Sequence, residues 1–346
     1  MSYSKKKSSS GSGTWLVRLV QIIVVALLGF AGFASADYWN WDDIFGQHFP
    51  KTQPTSTQTY PTPPPKPTPT PKPASTTKPP VNSSVVPLSN TALKFVTWNL
   101  CNMGKSKSDA DIAFIARIVR NFDLFAVQEV SVSDAGSAAI ARLQAELNTK
   151  GDRWDYVLSD PTSGEGCERY AYLWKPSKVA LQGRGWLANT RQMATTLDRE
   201  PFMARFRVGE HSLLLANFHA VPTTKNPEQE VLQLNQLHDA YRSDNLVIAG
   251  DFNLSEQDDA FRLLKSDGYV HVLKGQKTSL RLTVEPNGNY LSQEYDNIFY
   301  EKKTLRALQG GVSDFVPKAK TLADARKISD HLPVWCELKW VVQPDL

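Results

Sequence analysis

The sequence predicts an α/β domain in which helices cover β-sheets. Two observations support this class. First, short apolar runs typical of buried strands alternate with helical patterns. Second, the centres of those runs do not alternate between apolar and polar residues, as the strands of a sheet with one solvent-exposed face would. The region from Leu93 to Val341 holds roughly 250 residues, which suits one large domain. No fixed-period repeat divides it.

Strands are predicted where β-branched and aromatic residues form apolar runs between turn residues. The eight segments are Lys94–Trp98, Leu124–Val127, Tyr170–Trp174, Phe202–Val208, Ser212–Phe218, Leu246–Ala249, Tyr295–Tyr300 and Val334–Trp340. Helices are predicted where apolar residues recur every three or four positions. The four segments are Asp109–Arg120, Ser137–Leu147, Pro227–Tyr241 and Gln257–Leu264.

The amino-terminal quarter of the chain differs in composition from the rest. Residues 1–14 contain a lysine cluster and predict a basic region on the cytoplasmic side. Residues 15–36 are almost wholly apolar and predict either a transmembrane anchor or a signal peptide. Residues 37–90 include thirteen of the 22 prolines and predict a semi-rigid spacer. The catalytic domain is expected over residues 91–346, outside the cytoplasm, either anchored in the cell envelope or secreted.

The basic charge is concentrated in that amino-terminal part. The chain carries a net charge of +4, but residues 1–90 hold eight basic and three acidic side chains. The remaining residues therefore have a net charge near −1, which does not indicate a strongly basic enzymatic surface. Cys101, Cys167 and Cys336 are too few and too scattered for a disulfide framework or a zinc site.

Polar side chains follow several of the apolar runs, at the points where the predicted strands end. One of these runs is LVIAGDFN, residues 246–253. Each polar residue alone has a structural explanation, such as a turn, a helix cap or a buried histidine with a partner. Six such junctions in one chain predict a shared site. The residues concerned are Asn99, Glu129, His219, Asp251, Asn253, Asp296, Asp330 and His331.

These residue types suit metal-assisted hydrolysis of a phosphate ester. Hard divalent cations take oxygen ligands, which Asn99, Glu129 and either Asp251 or Asp330 can supply. Two histidines can move protons near neutral pH, and a carboxylate behind each can fix its tautomer. The remaining histidines, at positions 48, 211, 238 and 271, are interpreted as structural or solvated.

The sequence resembles the endonuclease/exonuclease/phosphatase superfamily and, within it, the deoxyribonuclease I branch. The resemblance covers essentially residues 93–341. It rests on TWN at Asn99, QE at Glu129, CERYAYLWKP at Glu168, REP at Arg199, NFH at His219, GDFN at Asp251, YDN at Asp296 and SDH at His331. It implies a four-layer α/β sandwich, in which two packed mixed sheets are flanked by helices and the active site lies at one end.

The resemblance also implies a role for each matching residue. A magnesium ion, with Mn²⁺ or Ca²⁺ as alternatives, would be held mainly by Glu129, with Asn99 and Asp330. Two histidine–carboxylate pairs would transfer protons, and Asp251 would hold a second cation, orient the water or position the phosphate. The implied catalytic residues are Glu168, His219, Asp251, Asp296 and His331. The implied substrate-binding residues are Asn253, Arg199 and Tyr170.

The chain departs from this branch where the branch contacts DNA. Cys101 and Ser131 stand in place of arginines, Gly166 in place of a groove-inserting tyrosine, and Asn297 in place of another arginine. Four basic residues are candidates for a new phosphate-binding rim, namely Lys105, Lys107, Arg326 and Lys327.

The matches to the family and the departures from its DNA-contacting residues lead to three candidate functions. The first is an endonuclease that hydrolyses DNA. The second is an enzyme of the same superfamily that acts on a phospholipid, inositol phosphate or nucleotide, and the third is a catalytically silent binding module. We expect a monomer without a protein partner, in contact with a membrane only if the amino-terminal segment stays uncleaved.

Overall fold

A computed structural model describes residues 88–190, 197–242 and 244–342. The predicted anchor or signal peptide, nearly all of the predicted spacer and His48 lie outside these residues, so the predicted domain boundaries remain predictions. Across the described ranges, no helix is both long enough and apolar enough to span a bilayer.

The first sheet contains six strands, with β1 and β2 parallel at its centre and the other neighbours antiparallel. Their order across the sheet is β11-β12-β1-β2-β4-β3. The strands are β1 (Leu88–Met103), β2 (Leu124–Val130), β3 (Asp155–Leu158), β4 (Arg169–Trp174), β11 (Leu305–Val312) and β12 (Val334–Val341).

The second sheet repeats this plan, with β7 and β8 parallel at its centre. Its order is β5-β6-β7-β8-β10-β9, and the remaining neighbours are antiparallel. The strands are β5 (Ala180–Leu187), β6 (Phe202–Val208), β7 (His211–His219), β8 (Leu246–Asp251), β9 (Tyr269–His271) and β10 (Asp296–Glu301).

Six α-helices connect these strands in the described part of the chain. They are α1 (Asp109–Val119), α2 (Asp134–Asn148), α3 (Pro227–Val231), α4 (Asn235–Ala240), α5 (Arg262–Ser266) and α6 (Leu322–Ile328). Helix α1 begins at Ser108, whose hydroxyl accepts the backbone N–H of Asp111 while the Asp111 carboxylate accepts the N–H of Ser108. Such reciprocal capping satisfies two donors that the first turn leaves free.

The predicted helix over Pro227–Tyr241 is not continuous. A 3₁₀ turn at Leu232–Leu234 separates α3 from α4. Val231, Leu234 and Leu237 are all buried, and their spacing is three residues. Three residues per turn is the repeat of a 3₁₀ helix, so the tighter turn keeps all three side chains on the core side.

Three apolar clusters account for the layering. The cluster between the sheets combines side chains of both, including Phe95, Ala126, Phe206 and Ile298. A second cluster packs the outer face of the first sheet against α1, α2 and α6, and a third packs the outer face of the second sheet against α3, α4 and α5. The arrangement is helix, sheet, sheet, helix. The predicted four-layer α/β sandwich is therefore confirmed.

Candidate active site

The parallel strand pairs bring the polar strand ends together. Asn99 lies beside Gln128 in the β1–β2 register, so Asn99 and Glu129 leave the first sheet at the same edge. His219 lies opposite Asp251 at the carboxyl ends of β7 and β8. Strand β10 runs antiparallel to β8, which places its first residue, Asp296, opposite Asp251. One end of the sandwich therefore collects residues from five strands.

His331 reaches the same end from the segment that precedes β12. Because β12 is antiparallel to β1, its first residue, Val334, lies opposite Thr97, close to Asn99. The indole N–H of Trp98 donates to the carbonyl of His331 over 2.8 Å. The Ser329 hydroxyl donates to the carbonyl of Asn99 over 2.6 Å and accepts the N–H of His331 over 2.9 Å.

The first carboxylate–imidazole pair is Glu168 and His219. The Glu168 Oε2 atom lies 2.9 Å from His219 Nδ1 and 3.1 Å from Arg199 Nε. The other oxygen of Glu168 accepts the backbone N–H of Glu129 over 3.1 Å. All three partners of this carboxylate are donors, which holds it in a single orientation against the imidazole.

Burial and the neighbouring guanidinium set the charge state of this pair. Burial raises the pKa of Glu168 to about 7, although the positive charge of Arg199 opposes the shift. Burial and Arg199 together lower the pKa of His219 to about 4, against the opposing influence of Asp251 and Glu129. The imidazole of His219 is therefore neutral at pH 7.

The second pair is Asp296 and His331. The Asp296 Oδ2 atom lies 2.8 Å from His331 Nδ1 and accepts the Thr278 hydroxyl over 2.7 Å. Burial lowers the pKa of His331, but the carboxylates of Asp296 and Asp251 outweigh it, and the pKa lies well above its ordinary value. The two histidines therefore have opposite electrostatic surroundings.

Asp251 lies between the two pairs. Its Oδ2 atom is 3.5 Å from Nε2 of His219, 3.5 Å from Nε2 of His331 and 3.1 Å from the Asn99 amide nitrogen. The Oδ1 atom accepts the backbone N–H of Asn253 over 2.9 Å. Burial raises the pKa of Asp251, and the charge of His331 opposes that increase.

The glycine of GDFN is required by close packing and by backbone conformation. Gly250 has a φ of 143°, and a Cβ atom there would lie 1.9 Å from the carbonyl oxygen of Phe218 on β7. Only glycine combines such a φ with such a close approach of two strands. Gly250 thereby places Asp251 beside His219.

The donor set fits a hard divalent cation. The Asp296 Oδ1 atom is buried and has no hydrogen-bond partner among the residues that the structure describes. Ligand atoms of Asp251, Asp296 and His331 all lie within 4.8 Å of one another. The Glu129 carboxylate accepts the Asn99 amide over 2.9 Å and the N–H of Asn102 over 2.9 Å. Carboxylate and amide oxygens are the ligands that Mg²⁺, Mn²⁺ and Ca²⁺ prefer.

The remaining predicted metal ligand, Asp330, lies on the same side of the site as Glu129, with Cys101 next to both. The Cys101 thiol lies beside both carboxylates and hydrogen-bonds Asp330, and burial followed by these two charges raises the pKa of that thiol. Burial raises the pKa of Asp330, but His331 and Arg326 outweigh it, so the pKa is lowered. Asp330 is therefore an anion at neutral pH.

The structure corrects one substrate-binding prediction and changes the surroundings of two others. Tyr170 is fully buried in the core between the sheets, so its side chain cannot contact a substrate. Arg199 donates to the carbonyls of Gly166 and Ala220 besides pairing with Glu168, and its side chain is only 11% exposed. The Asn253 amide donates to the carbonyl of Ala220. Phosphate contacts by Arg199 and Asn253 remain predictions.

Lys107 is not exposed, as a residue of the predicted phosphate-binding rim would be. It is buried, and its ammonium group donates to the carbonyls of Lys327 and Ile328. Lys105 in the same loop is exposed, as a rim residue should be. Arg326 pairs with Asp330 over 3.4 Å, and Lys327 with Asp324 over 3.0 Å.

Sequence reasoning missed a polar layer beneath the site. The Gln128 amide donates to Asn217 Oδ1 over 2.6 Å and to Thr97 Oγ1 over 2.8 Å, and the Asn217 amide donates to the carbonyl of Val127 over 3.0 Å. These bonds link the two sheets next to Glu129 and His219. The sequence signal that could have revealed Gln128 and Asn217 is an amide side chain inside an apolar run, in LFAVQE and LLLANFH respectively. Thr278, which holds Asp296, carried no comparable signal.

Comparison with known proteins identifies the family. The model of the Endonuclease/Exonuclease/phosphatase family matches residues 96–331, which include the whole cluster from Asn99 to His331. The chain belongs to this family. Membership in the Endonuclease/Exonuclease/phosphatase family identifies it as a hydrolase of phosphate esters, in agreement with the two carboxylate–imidazole pairs.

Relatives within the Endonuclease/Exonuclease/phosphatase family include two deoxyribonucleases. Deoxyribonuclease-1 of Bos taurus is 27% identical over 267 residues, covering 70% of this chain and 91% of the relative. A deoxyribonuclease of Thioalkalivibrio sp. (strain K90mix) is 26% identical over 267 residues, covering 70% of each. The solved family structure from Bacteroides vulgatus is 16% identical, with a TM-score of 0.55 over 72% of this chain and all of that one, and supports the fold.

Proposed function

We propose that the chain is a metal-dependent endonuclease that hydrolyses DNA phosphodiester bonds outside the cytoplasm. The observation that carries the proposal is the convergence of both carboxylate–imidazole pairs on one oxygen of Asp251. An in-line displacement at phosphorus needs one group that accepts the proton of water and one that protonates the leaving oxygen. The deoxyribonuclease relatives support DNA as the substrate.

The residues of the chain divide the work of this reaction. One imidazole takes the proton of the attacking water, and the other donates a proton to the leaving 3′ oxygen. Glu168 and Asp296 hold the two rings by their Nδ1 atoms, which leaves each Nε2 directed toward Asp251. Asp251 and Asn253 orient the water and the phosphate between the rings.

Enzymes of this type depend on a metal ion, and the residues present fit one. Glu129, Asn99 and Asp330 would hold a Mg²⁺ ion, with Mn²⁺ or Ca²⁺ as alternatives. When bound, the cation offsets negative charge that develops on the phosphate oxygens. The oxygen atoms of Glu129, Asn99 and Asp330 match Mg²⁺ better than the His331 imidazole does, and that imidazole suits proton transfer.

A plasmid assay tests this proposal. Purified protein is incubated with supercoiled plasmid and Mg²⁺, with and without chelator, beside an His331→Ala variant. Nicking that requires both the metal and His331 is the expected result. An inert plasmid would contradict the DNA assignment.

A second candidate function keeps the active site and changes the substrate to a phospholipid, inositol phosphate or nucleotide. It is favoured by Gly166, where the groove-inserting tyrosine of the deoxyribonuclease I branch is missing. A Cβ atom at Gly166 would lie 2.5 Å from Asp198 Oδ2 and 2.7 Å from Arg199 Nη2. The side chains of Asp198 and Arg199 therefore occupy the space that a side chain at position 166 would need. Metal-dependent release of phosphate or headgroup beside an uncut plasmid would favour this candidate.

The proposed location follows from the apolar segment at residues 15–36 and the proline-rich spacer. A spacer next to a membrane segment holds a domain away from the bilayer, which favours an anchor over a cleaved signal. N-terminal sequencing of the mature protein separates the two, because cleavage after Ala34-Ser35-Ala36 would expose Asp37.

A further inference from the structure

Lys107 is a buried lysine in the loop between β1 and α1, with 3% of its surface exposed. Its ammonium group donates to the carbonyls of Lys327 and Ile328, each over 2.9 Å. These two carbonyls belong to the carboxyl end of α6, where backbone acceptors lack partners within the helix and carry partial negative charge. Burying an ammonium group is costly unless such partners are present. The two carbonyls therefore offset the cost of burying the Lys107 ammonium group.

The contact lies immediately before the Ser329–Asp330–His331 segment. Helix α6 ends at Ile328, and the three following residues connect it to the active site. The hydroxyl of Ser329, the first of these residues, holds the connection to the carbonyl of Asn99. Lys107 fixes its beginning, since the position of Ile328 determines where Ser329 and Asp330 start. The segment is thus tied at two points to the region around the carboxyl end of β1.

Lys107 is itself held rigidly. Its carbonyl accepts both terminal nitrogens of Arg142 on α2, each over 3.1 Å, and its N–H donates to the carbonyl of Gly104 over 3.2 Å. The side chain therefore extends from a fixed backbone across to α6. Through its backbone and its side chain, Lys107 connects α2, the loop after β1 and the end of α6.

We propose that Lys107 is a positioning residue, which places Asp330 and His331 in the active site by fixing the carboxyl end of α6. The kinetic consequence of this inference rests on the proposed hydrolysis of phosphodiesters, whereas the structural consequence does not. Partners behind catalytic groups typically contribute about 10- to 100-fold in activity. In the described part of the chain, the ammonium group of Lys107 donates to backbone carbonyls and not to a reacting group, and its charge acts on Glu129 and Asp330 only through space.

The kinetic test compares Lys107→Met with Lys303→Met in the full chain. Both substitutions remove one positive charge, but Lys303 is exposed in the turn between β10 and β11, at the end of β10 remote from Asp296. Methionine keeps the length of the stem and leaves both α6 carbonyls without their donor. We expect kcat on plasmid DNA and on bis(4-nitrophenyl) phosphate to fall about 10- to 100-fold in Lys107→Met, with KM little changed. Lys303→Met should keep the parent kcat on both substrates.

A spectroscopic readout separates positioning from general loss of structure. Histidine ring nitrogens are labelled with ¹⁵N, and their signals are assigned with His219→Ala and His331→Ala. In Lys107→Met, the His331 signals should shift while those of His219 stay in place. Unchanged His331 signals together with parent kcat would overturn the inference.

If Lys107→Met does not fold, Lys107→Gln decides, since its amide can still donate to one carbonyl. A failure of both variants to fold would assign Lys107 to general stability and overturn the positioning role. If the parent protein cleaves neither diester, the proposed function fails, while the ¹⁵N signals still decide the inference.

Discussion

His219 and His331 come from different sheets, yet the Nε2 atom of each lies 3.5 Å from the same oxygen, Oδ2 of Asp251. This relationship makes the carboxylate the point at which the two halves of the sandwich meet chemically. It also means that the two imidazoles are not independent. A change at Asp251 alters the charge beside both rings.

The substitution Asp251→Asn should therefore disable the enzyme without unfolding it. Asparagine has nearly the same shape, but it removes the negative charge that both imidazoles face. We expect the rate of plasmid nicking to fall about 100-fold or more, since positioned acid–base groups each contribute on that order. The control is Asp258→Asn, which changes a helix-capping aspartate whose Oδ1 accepts the N–H of Ala260. Parent-like nicking by Asp251→Asn would show that this carboxylate is dispensable.

The activity should decrease on the acid side of neutrality. Only the ionised form of Glu168 stabilises the positive charge that the His219 imidazole gains when it takes up a proton, and burial raises the pKa of Glu168 to about 7. Because this pKa lies above its ordinary value, the ionised fraction falls as pH drops through 7. A plot of log kcat/KM against pH should therefore bend downward below about pH 7.

Arg199 sets the position of that bend. Its positive charge lowers the pKa of Glu168, so removing it should raise that pKa and move the bend to higher pH. We expect the shift in Arg199→Met and a bend near the parent position in Arg199→Lys, which keeps the charge. An identical pH profile for parent and Arg199→Met would refute this account of the pair.

The strands that sequence reasoning predicted are the eight interior strands of the two sheets. Those it missed, β3, β5, β9 and β11, are the four edge strands. These edge strands are short or partly exposed to solvent, and their apolar pattern is therefore weaker. Strand β9 has three residues, and β5 contains exposed Gly183 and Arg184. Their pairing depends on a neighbour that is distant in sequence, which a local pattern cannot reveal.

The same limit applies to the candidate site. Residues at the ends of interior strands were predictable, because a polar group after an apolar run is visible locally. The side-chain directions of Tyr170 and Lys107 were not visible. Tyr170 alternates into the core from β4, and Lys107 is buried by α6, which lies over 200 positions further along the chain. Burial created by tertiary contacts leaves no mark on the local sequence.

Gly250 offers a test of how backbone packing supports the site. Alanine at Gly250 meets two obstacles, a φ of 143° and a Cβ only 1.9 Å from the Phe218 carbonyl oxygen. Gly288 has a φ of 86° but no atom within 4 Å of its Cβ position, so it isolates the first obstacle. We expect Gly288→Ala to lower the free energy of unfolding by about 1 kcal/mol, the usual cost of a positive φ.

Gly250→Ala should cost more than about 3 kcal/mol, because β7 and β8 must also separate. Separating them moves Asp251 away from His219, so nicking should be lost even at temperatures where the variant remains folded. Urea unfolding measures the first effect, and plasmid nicking with circular dichroism at the same temperature measures the second. Equal destabilisation by the two alanines would mean that the strands adjust freely. In that case the close approach at Gly250 would not be what places Asp251.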